Sequence, residues 1–217
     1  MEGLAVNLWE VPRVWPDETI VIAASGPSII EFDLEAIRQE ARLIVVNDAY
    51  KLVSSADALY ACDWWWWAHN EKAFSFPAVR VGLGYNAQAE SWITGWPHSK
   101  EAEKVNLLQS TGQHGLELED RTAVRTGGNS GYQAINFAVH LGASRIILLG
   151  YDMKPSEELG SHFFGEHEGR ARPPFDQFLR AFETIVEPLE EAGVSVINCT
   201  PDSALAVFRQ ADISEVL

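Results

Sequence analysis

Five short runs, almost wholly apolar, each stop abruptly at a polar or turn-forming residue, and helical patterns separate most of them. They are Thr19 to Ala24, Leu43 to Val46, Ala58 to Ala61, Arg145 to Leu149 and Ser195 to Cys199. A strand that is apolar on both faces has to be covered on both, and strands alternating with helices pair in parallel. The pattern predicts an α/β fold, a doubly wound and mainly parallel sheet of the Rossmann-like kind with helices on both faces. Ligands of such sheets bind beyond the carboxyl ends of the strands. That rule gathers Ser25 to Ser28, Asn47, Asp48, Asp63 and Asp152 at one rim, although they are far apart in the chain.

Three helices are legible between the strands. Asp33 suits the N-cap of a helix running through Gln39, and Leu34 and Ile37 share its apolar face. Tyr132 to Leu141 is a second helix, closed by Gly142. Phe175 to Ala192 carries the stripe Phe178, Leu179, Phe182, Ile185, Val186 and Leu189, with Pro188 expected to kink its last turn. Residues 82–125 lack sustained periodicity and read as an insertion or lid. Residues 151–174 form a loop long enough to be an active-site loop. At 217 residues, the chain is expected to be one nucleotide-binding-type domain spanning 1–217.

Charge narrows the partners. With 16 Lys and Arg against 31 Asp and Glu, the net charge of −15 repels nucleic acid and anionic lipid. No run approaches the length of a membrane span, and no basic leader precedes an apolar segment. Two cysteines, Cys62 and Cys199, cannot build a disulfide framework and fit a reducing compartment, so a cytoplasmic protein is expected.

The Ser25-Gly26-Pro27-Ser28 turn can present backbone N–H groups and hydroxyls to an anion, or can serve chain reversal alone. Asn129, Ser130 and Gly131 precede a helix whose N-terminus would favour a phosphate, or simply cap it. The spacing matches neither G-x-G-x-x-G nor the G-x-x-x-x-G-K-[ST] phosphate loop. In the long loop, His162 and His167 lie near Glu166, Glu168, Arg170 and Arg172. A histidine there could accept a proton from a hydroxyl, while Lys154, Arg170 or Arg172 could neutralise a departing phosphate. A metal site of His162, Glu166, His167 and Glu168 is the rival reading, as is a solvated loop. No Asp-x-Asp pair offers the common magnesium ligands of nucleotide-sugar sites. The run Trp64 to Trp67 cannot turn all four rings to one core, so a groove or a homo-oligomer contact is expected to receive one or two.

These pieces, in order, resemble the bacterial metal-independent sialyltransferases and the related motility-accessory-factor glycosyltransferases and 6-hydroxymethylpterin diphosphokinase-like proteins. A strand and G-P-S occur at Ile20 to Ser28, and a strand ending in Asn at Leu43 to Asn47. S-G-x6-A-x2-L-G and a strand ending in G-x-D span Ser130 to Asp152. A variant of S-H-x2-G-x-H spans Ser161 to His167, and P-[ND]-S-x-L-A-x-F spans Pro201 to Phe208. The resemblance implies a metal-independent glycosyltransferase that passes a sugar, with inversion, from a cytidine-monophosphate sugar to a hydroxyl acceptor. It implies His167 as base, Asn47 and Ser130 beside the donor, Gly26, Pro27 and Ser28 as a nucleotide loop, and Pro201, Asp202 and Ser203 as its far wall. Met153 and Lys154 stand where the sialyltransferases have phosphate-binding tyrosines. The diphosphokinase alternative implies Mg²⁺ on Asp63 and Asp152. A third alternative is a non-catalytic ligand-binding or assembly protein on the same fold.

Overall fold

The computed structural model describes residues 8–93, 96, 103–166 and 171–217. Among them, ten strands join in one sheet: β1 (Thr19–Ala23), β2 (Arg42–Val46), β3 (Ala58–Tyr60), β4 (Val79–Asn86), β5 (Ser91–Trp92), β6 (Asn106–Ser110), β7 (Ala123–Val124), β8 (Arg145–Leu149), β9 (Ser195–Asn198) and β10 (Arg209–Gln210). Nine lie in the order β10-β9-β8-β1-β2-β3-β4-β6-β7, all parallel, and β5 pairs antiparallel with β4. The helices are α1 (Leu34–Glu40), α2 (Trp64–His69), α3 (Ser130–Leu141), α4 (Phe175–Glu183) and α5 (Val186–Glu191).

The period of two along each central strand splits the core into layers. Ile20, Ile22, Ile44 and Val46 pack beneath α3, α4 and α5 through Ile135, Ala138, Phe182 and Leu189. Their neighbours Val21, Ala23, Leu43 and Val45 pack on the opposite face against Leu34 and Ile37 of α1 and Trp66 and Trp67 of α2. This double covering is why those strands carry no polar residue in their interiors. The chain lays β1 to β7 outward on one side of β1. It then returns through α3 to place β8 on the other side, in register Val21↔Ile147 and Ala23↔Leu149. The order therefore reverses between β1 and β8, and the loops leaving them part there.

Two expectations change. Residues 82–125 contribute the end of β4 together with β5, β6 and β7 to the sheet. These edge strands are short and half-polar, so their hydrophobic period is weak. The long helix expected over Phe175 to Ala192 is two helices, broken at Thr184 and Ile185 rather than at its last turn. Pro188 is the third residue of α5, where its missing N–H has no intrahelical role, and its ring collides with the carbonyl four residues back, at Thr184.

The tryptophan run forms α2 and is mostly intramolecular. Trp67 is fully buried and donates Nε1–H to the Ala61 carbonyl at 2.9 Å, while buried Trp66 donates to Asp48 Oδ2 at 2.7 Å. Trp64 packs edge-on to Trp96 with centroids 5.0 Å apart. Trp65 alone is left at the surface, stacked on His69 at 4.0 Å.

Candidate active site

At the reversal between β1 and β8 the loops enclose a cleft of about 110 Å³. Ser25 and Gly26 line it after β1, Asn47 after β2, Asn129, Ser130 and Gly131 at the start of α3, Asp152 after β8, and His162 from the long loop. Pro27 and Ser28 lie just outside, where Asp152 also borders an adjoining cavity of about 580 Å³ walled by Lys154, Pro201 and Asp202. These residues, drawn from across the sequence, thus occupy two neighbouring hollows at one rim.

Two of the sequence motifs are interlocked. Asp152 Oδ1 accepts the Ser28 N–H at 3.1 Å and Oδ2 accepts the Ser28 hydroxyl at 3.0 Å. Gly26 N–H donates to Gly150 O at 3.0 Å. A Cβ on Gly26 would sit 2.0 Å from Asp152 Oδ2 and 2.4 Å from Gly150 O, so no side chain fits. Asp152 is only 8% exposed, and burial pushes its carboxyl above the ordinary 3.8 against the lowering effect of the Ser28 bonds. Its role visible in the fold is to hold the turn after β1 in place.

The other hydroxyls are similarly engaged. Ser25 Oγ–H donates to Val46 O at 3.0 Å, and Ser130 Oγ–H donates to Cys62 Sγ at 3.1 Å while accepting the Cys62 N–H. Asn129 Oδ1 accepts the Tyr132 N–H at 2.8 Å, capping α3. That cap leaves the N–H groups of Ser130 and Gly131 for a ligand at the positive end of a twelve-residue helix. Tyr151, wholly buried, donates its hydroxyl to Gly131 O at 2.9 Å and steadies this terminus. Cys62 behind it is pushed up to about 12, by burial first and by neighbouring Asp63 second, and is a thiol at neutral pH.

Backbone strain gathers at the same rim. Asn47, Met153 and Asp202 adopt φ of 50°, 51° and 50°, the left-handed region that non-glycine residues enter at a cost of order 1 kcal/mol or more. Asn47 and Met153 line the cleft, and Asp202 walls the cavity beside it. Among the described residues, the Asn47 side chain has no hydrogen-bond partner, so it is available to a ligand.

The chain has a sialyltransferase-like fold. A solved structure of the sialyltransferase CstII from Campylobacter jejuni, in complex with the substrate analogue cytidine-5'-monophosphate, superposes with a TM-score of 0.55. The match has 14% sequence identity and covers 90% of this chain and 85% of that one. No protein-family model and no curated protein sequence matches the chain.

Some expected site residues are not brought to the cleft. Asp63 precedes α2, is exposed, and lines neither hollow. Arg172 Nε pairs with Glu166 Oε1 at 3.4 Å and also lies outside both linings. Glu166 is held by the Ser161 hydroxyl at 2.9 Å, and among the described residues no three His, Cys, Asp or Glu side chains gather as a metal cluster. Lys154 is tied to Asp202 at 2.5 Å. Ser203 serves the fold: its hydroxyl donates to Tyr151 O at 2.5 Å and accepts from Asn198 Nδ2 at 3.0 Å. His167 and Arg170, with Glu168, lie outside the described residues. Arg125 is engaged by Thr111 O and Glu117 and lines neither hollow.

Sequence reasoning missed the apolar side of the cleft. Met153, Pro173, Phe175 and Phe178 line it, the last two from the opening turns of α4. Their i,i+3 spacing was the available signal, since it puts both rings on one helix face. His162 stacks parallel to Phe164, with centroids 5.0 Å apart, and Phe163 N–H binds Ser25 O at 3.1 Å. That last bond fastens the long loop to the turn after β1.

Proposed function

We propose that the chain is a glycosyltransferase that takes a sugar from a nucleotide sugar, a cytidine-monophosphate sugar being the favoured donor, and passes it to a hydroxyl acceptor. The observation that carries this reading is the meeting of Gly26, Asn47, Ser130, Asp152 and His162 at the point where strand order reverses. The likeness in fold to a sialyltransferase bound to cytidine monophosphate supports the same reading.

In the proposed reaction the acceptor oxygen bonds to the anomeric carbon as the bond from that carbon to the phosphate oxygen breaks. The acceptor proton passes to a histidine, assigned by motif to His167, and cytidine monophosphate leaves with the bonding electrons. Negative charge grows on the departing phosphate. The N–H groups of Ser130 and Gly131 and the dipole of α3 stabilise that charge without reorganising. Asn47, with free donors and acceptors, reads the donor, and Phe175 and Phe178 supply an apolar wall. At about 110 Å³ the cleft is smaller than a typical ligand site of about 300 Å³ or more. The donor therefore needs room beyond this cleft, and the adjoining cavity of about 580 Å³, which shares Asp152 with it, offers that room.

The test is release of cytidine monophosphate from cytidine-monophosphate sugars, with uridine and guanosine diphosphate sugars alongside, a panel of saccharide acceptors, and chelator present or absent. The expected result is acceptor-dependent release that persists in chelator, is lost in His167→Ala and falls in Asn47→Ala. Turnover of none of the donors, or phosphoryl transfer from ATP that chelator abolishes, would overturn the reading and favour the diphosphokinase alternative.

A further inference from the structure

His162 lines the cleft from a tight turn, closed by the Gly165 N–H donating to the His162 carbonyl at 2.9 Å, with Gly165 at φ 98°. Both residues between them are phenylalanine. Phe163 packs against the core layer of α1 and α2, and its N–H binds Ser25 O at 3.1 Å, so the turn is anchored to the scaffold. Phe164 is 39% exposed and lies outside the cleft lining. Its ring is laid on the His162 imidazole, 5° from parallel with centroids 5.0 Å apart, and meets Phe163 edge-on at 5.1 Å. Lys51 Nζ stands 5.9 Å from the same ring and is held by the buried Asp48 carboxylate. Contacts thus run from the core through Phe163 and Phe164 to His162.

An imidazole turns about two side-chain torsions, and the second is broad. A ring pressed flat against one face removes that freedom. Since Phe164 is outside the lining and His162 within it, the imidazole meets the cleft by a surface other than its stacked face. The cleft, about 110 Å³, has the space of three or four waters at about 30 Å³ each, so an anionic group seated on the Ser130 and Gly131 N–H groups is close to everything else that lines it. Among the described residues of that lining, Asp152 and His162 alone are ionisable, and Asp152 is committed to Ser28. His162 is therefore the side chain there that can turn positive toward an anion. Resting on the transferase reading of this cleft, we infer that Phe164 is a positioning residue: it holds the His162 imidazole so that a ring N–H donates to a phosphate oxygen of the donor, alongside the N–H groups that begin α3.

Cytidine and cytidine monophosphate differ by the phosphate alone, so their affinities for the 217-residue chain, followed by amide and imidazole NMR, isolate that contact. The monophosphate is expected to bind the wild type more tightly. His162→Ala should weaken the monophosphate about tenfold, the scale of one hydrogen bond to a charged group, and Phe164→Ala about threefold, with cytidine bound as before in both. Phe164→Tyr, which keeps the stacked ring, should restore wild-type affinity. A ring that merely ordered the loop would, on removal, weaken both ligands alike. Phe164 is exposed enough for its replacement to spare the fold, and without any ligand the His162 ring protons, shielded by the Phe164 face, should move downfield in Phe164→Ala. Unmoved ring protons, equal weakening of the two ligands, or undiminished monophosphate binding in Phe164→Ala would each overturn the positioning role while the nucleotide site stands. A wild-type chain that binds neither ligand would overturn the transferase reading, and the phosphate contact with it.

Discussion

Replacing Gly26 with alanine puts the interlock between the two strand-end loops to a quantitative test. The new methyl carbon would stand 2.0 Å from Asp152 Oδ2 and 2.4 Å from Gly150 O, where ordinary contact begins at 3.4 Å. Neither neighbour can simply step aside. Gly150 O accepts the Gly26 N–H at 3.0 Å, and the Asp152 carboxylate is gripped by the Ser28 N–H and hydroxyl at 3.1 and 3.0 Å. Withdrawing the carboxylate forfeits two hydrogen bonds to a charged acceptor, each worth about 1.5–3 kcal/mol. The expected loss is roughly 3–6 kcal/mol, a large share of the roughly 5–15 kcal/mol that holds a domain folded. Urea unfolding followed by circular dichroism measures it. Asp152→Ala forfeits the same two bonds, so if both substitutions act on one clamp, the double variant will cost clearly less than the sum of the singles. An unchanged unfolding midpoint for Gly26→Ala, or strictly additive losses, would refute the interlock.

Three further outcomes are expected. Trp67→Ala should cost about 3–5 kcal/mol by urea unfolding, because it empties a fully buried site and orphans the Ala61 carbonyl, whereas Trp65→Ala, 37% exposed, should cost under about 1 kcal/mol. Equal losses would contradict the packing of α2. Burial holds the Asp152 pKa above 3.8, so protonation favours the folded state: this contribution is complete below the unfolded value and vanishes as pH rises through the folded one. Wild type should therefore gain in melting temperature relative to Asp152→Asn as pH falls from about 7 towards about 4, and a shift of opposite sign would contradict it. Cys62 is pushed up to about 12 and Cys199 to about 11, so both should resist iodoacetamide at about pH 8 in the folded chain and react on unfolding, as read by mass spectrometry. Rapid labelling of the native protein would contradict the raised thiol pKa values.

The central sheet was legible because its physics is local. Val21, Ile22, Ile44 and Val45 need cover on both faces, and a run of such residues has few other solutions. Once the parallel order was inferred, the strand-end rule located Gly26, Asn47 and Asp152 together. Roles set by tertiary neighbours were not legible. Nothing local shows that the Ser25, Ser130 and Ser203 hydroxyls face protein partners rather than a ligand, or that Trp66 satisfies its N–H on Asp48 eighteen residues away. The break at Thr184 shows a rule applied at the wrong end, since a proline disturbs the carbonyl one turn before it more than the turn that follows. β6 and β7 escaped notice because strands near a sheet edge, such as Asn106–Ser110, mix polar and apolar residues without a clean period.

The most direct measurement is a titration of cytidine monophosphate into the isotopically labelled chain, followed by amide NMR. Saturable shifts at Ser25, Gly26, Asn47, Ser130, Gly131 and Met153, diminished in Asn47→Ala, are the predicted result. Absence of saturable binding, or shifts that cluster away from the junction of β1 and β8, would contradict the assignment of this rim as a nucleotide site.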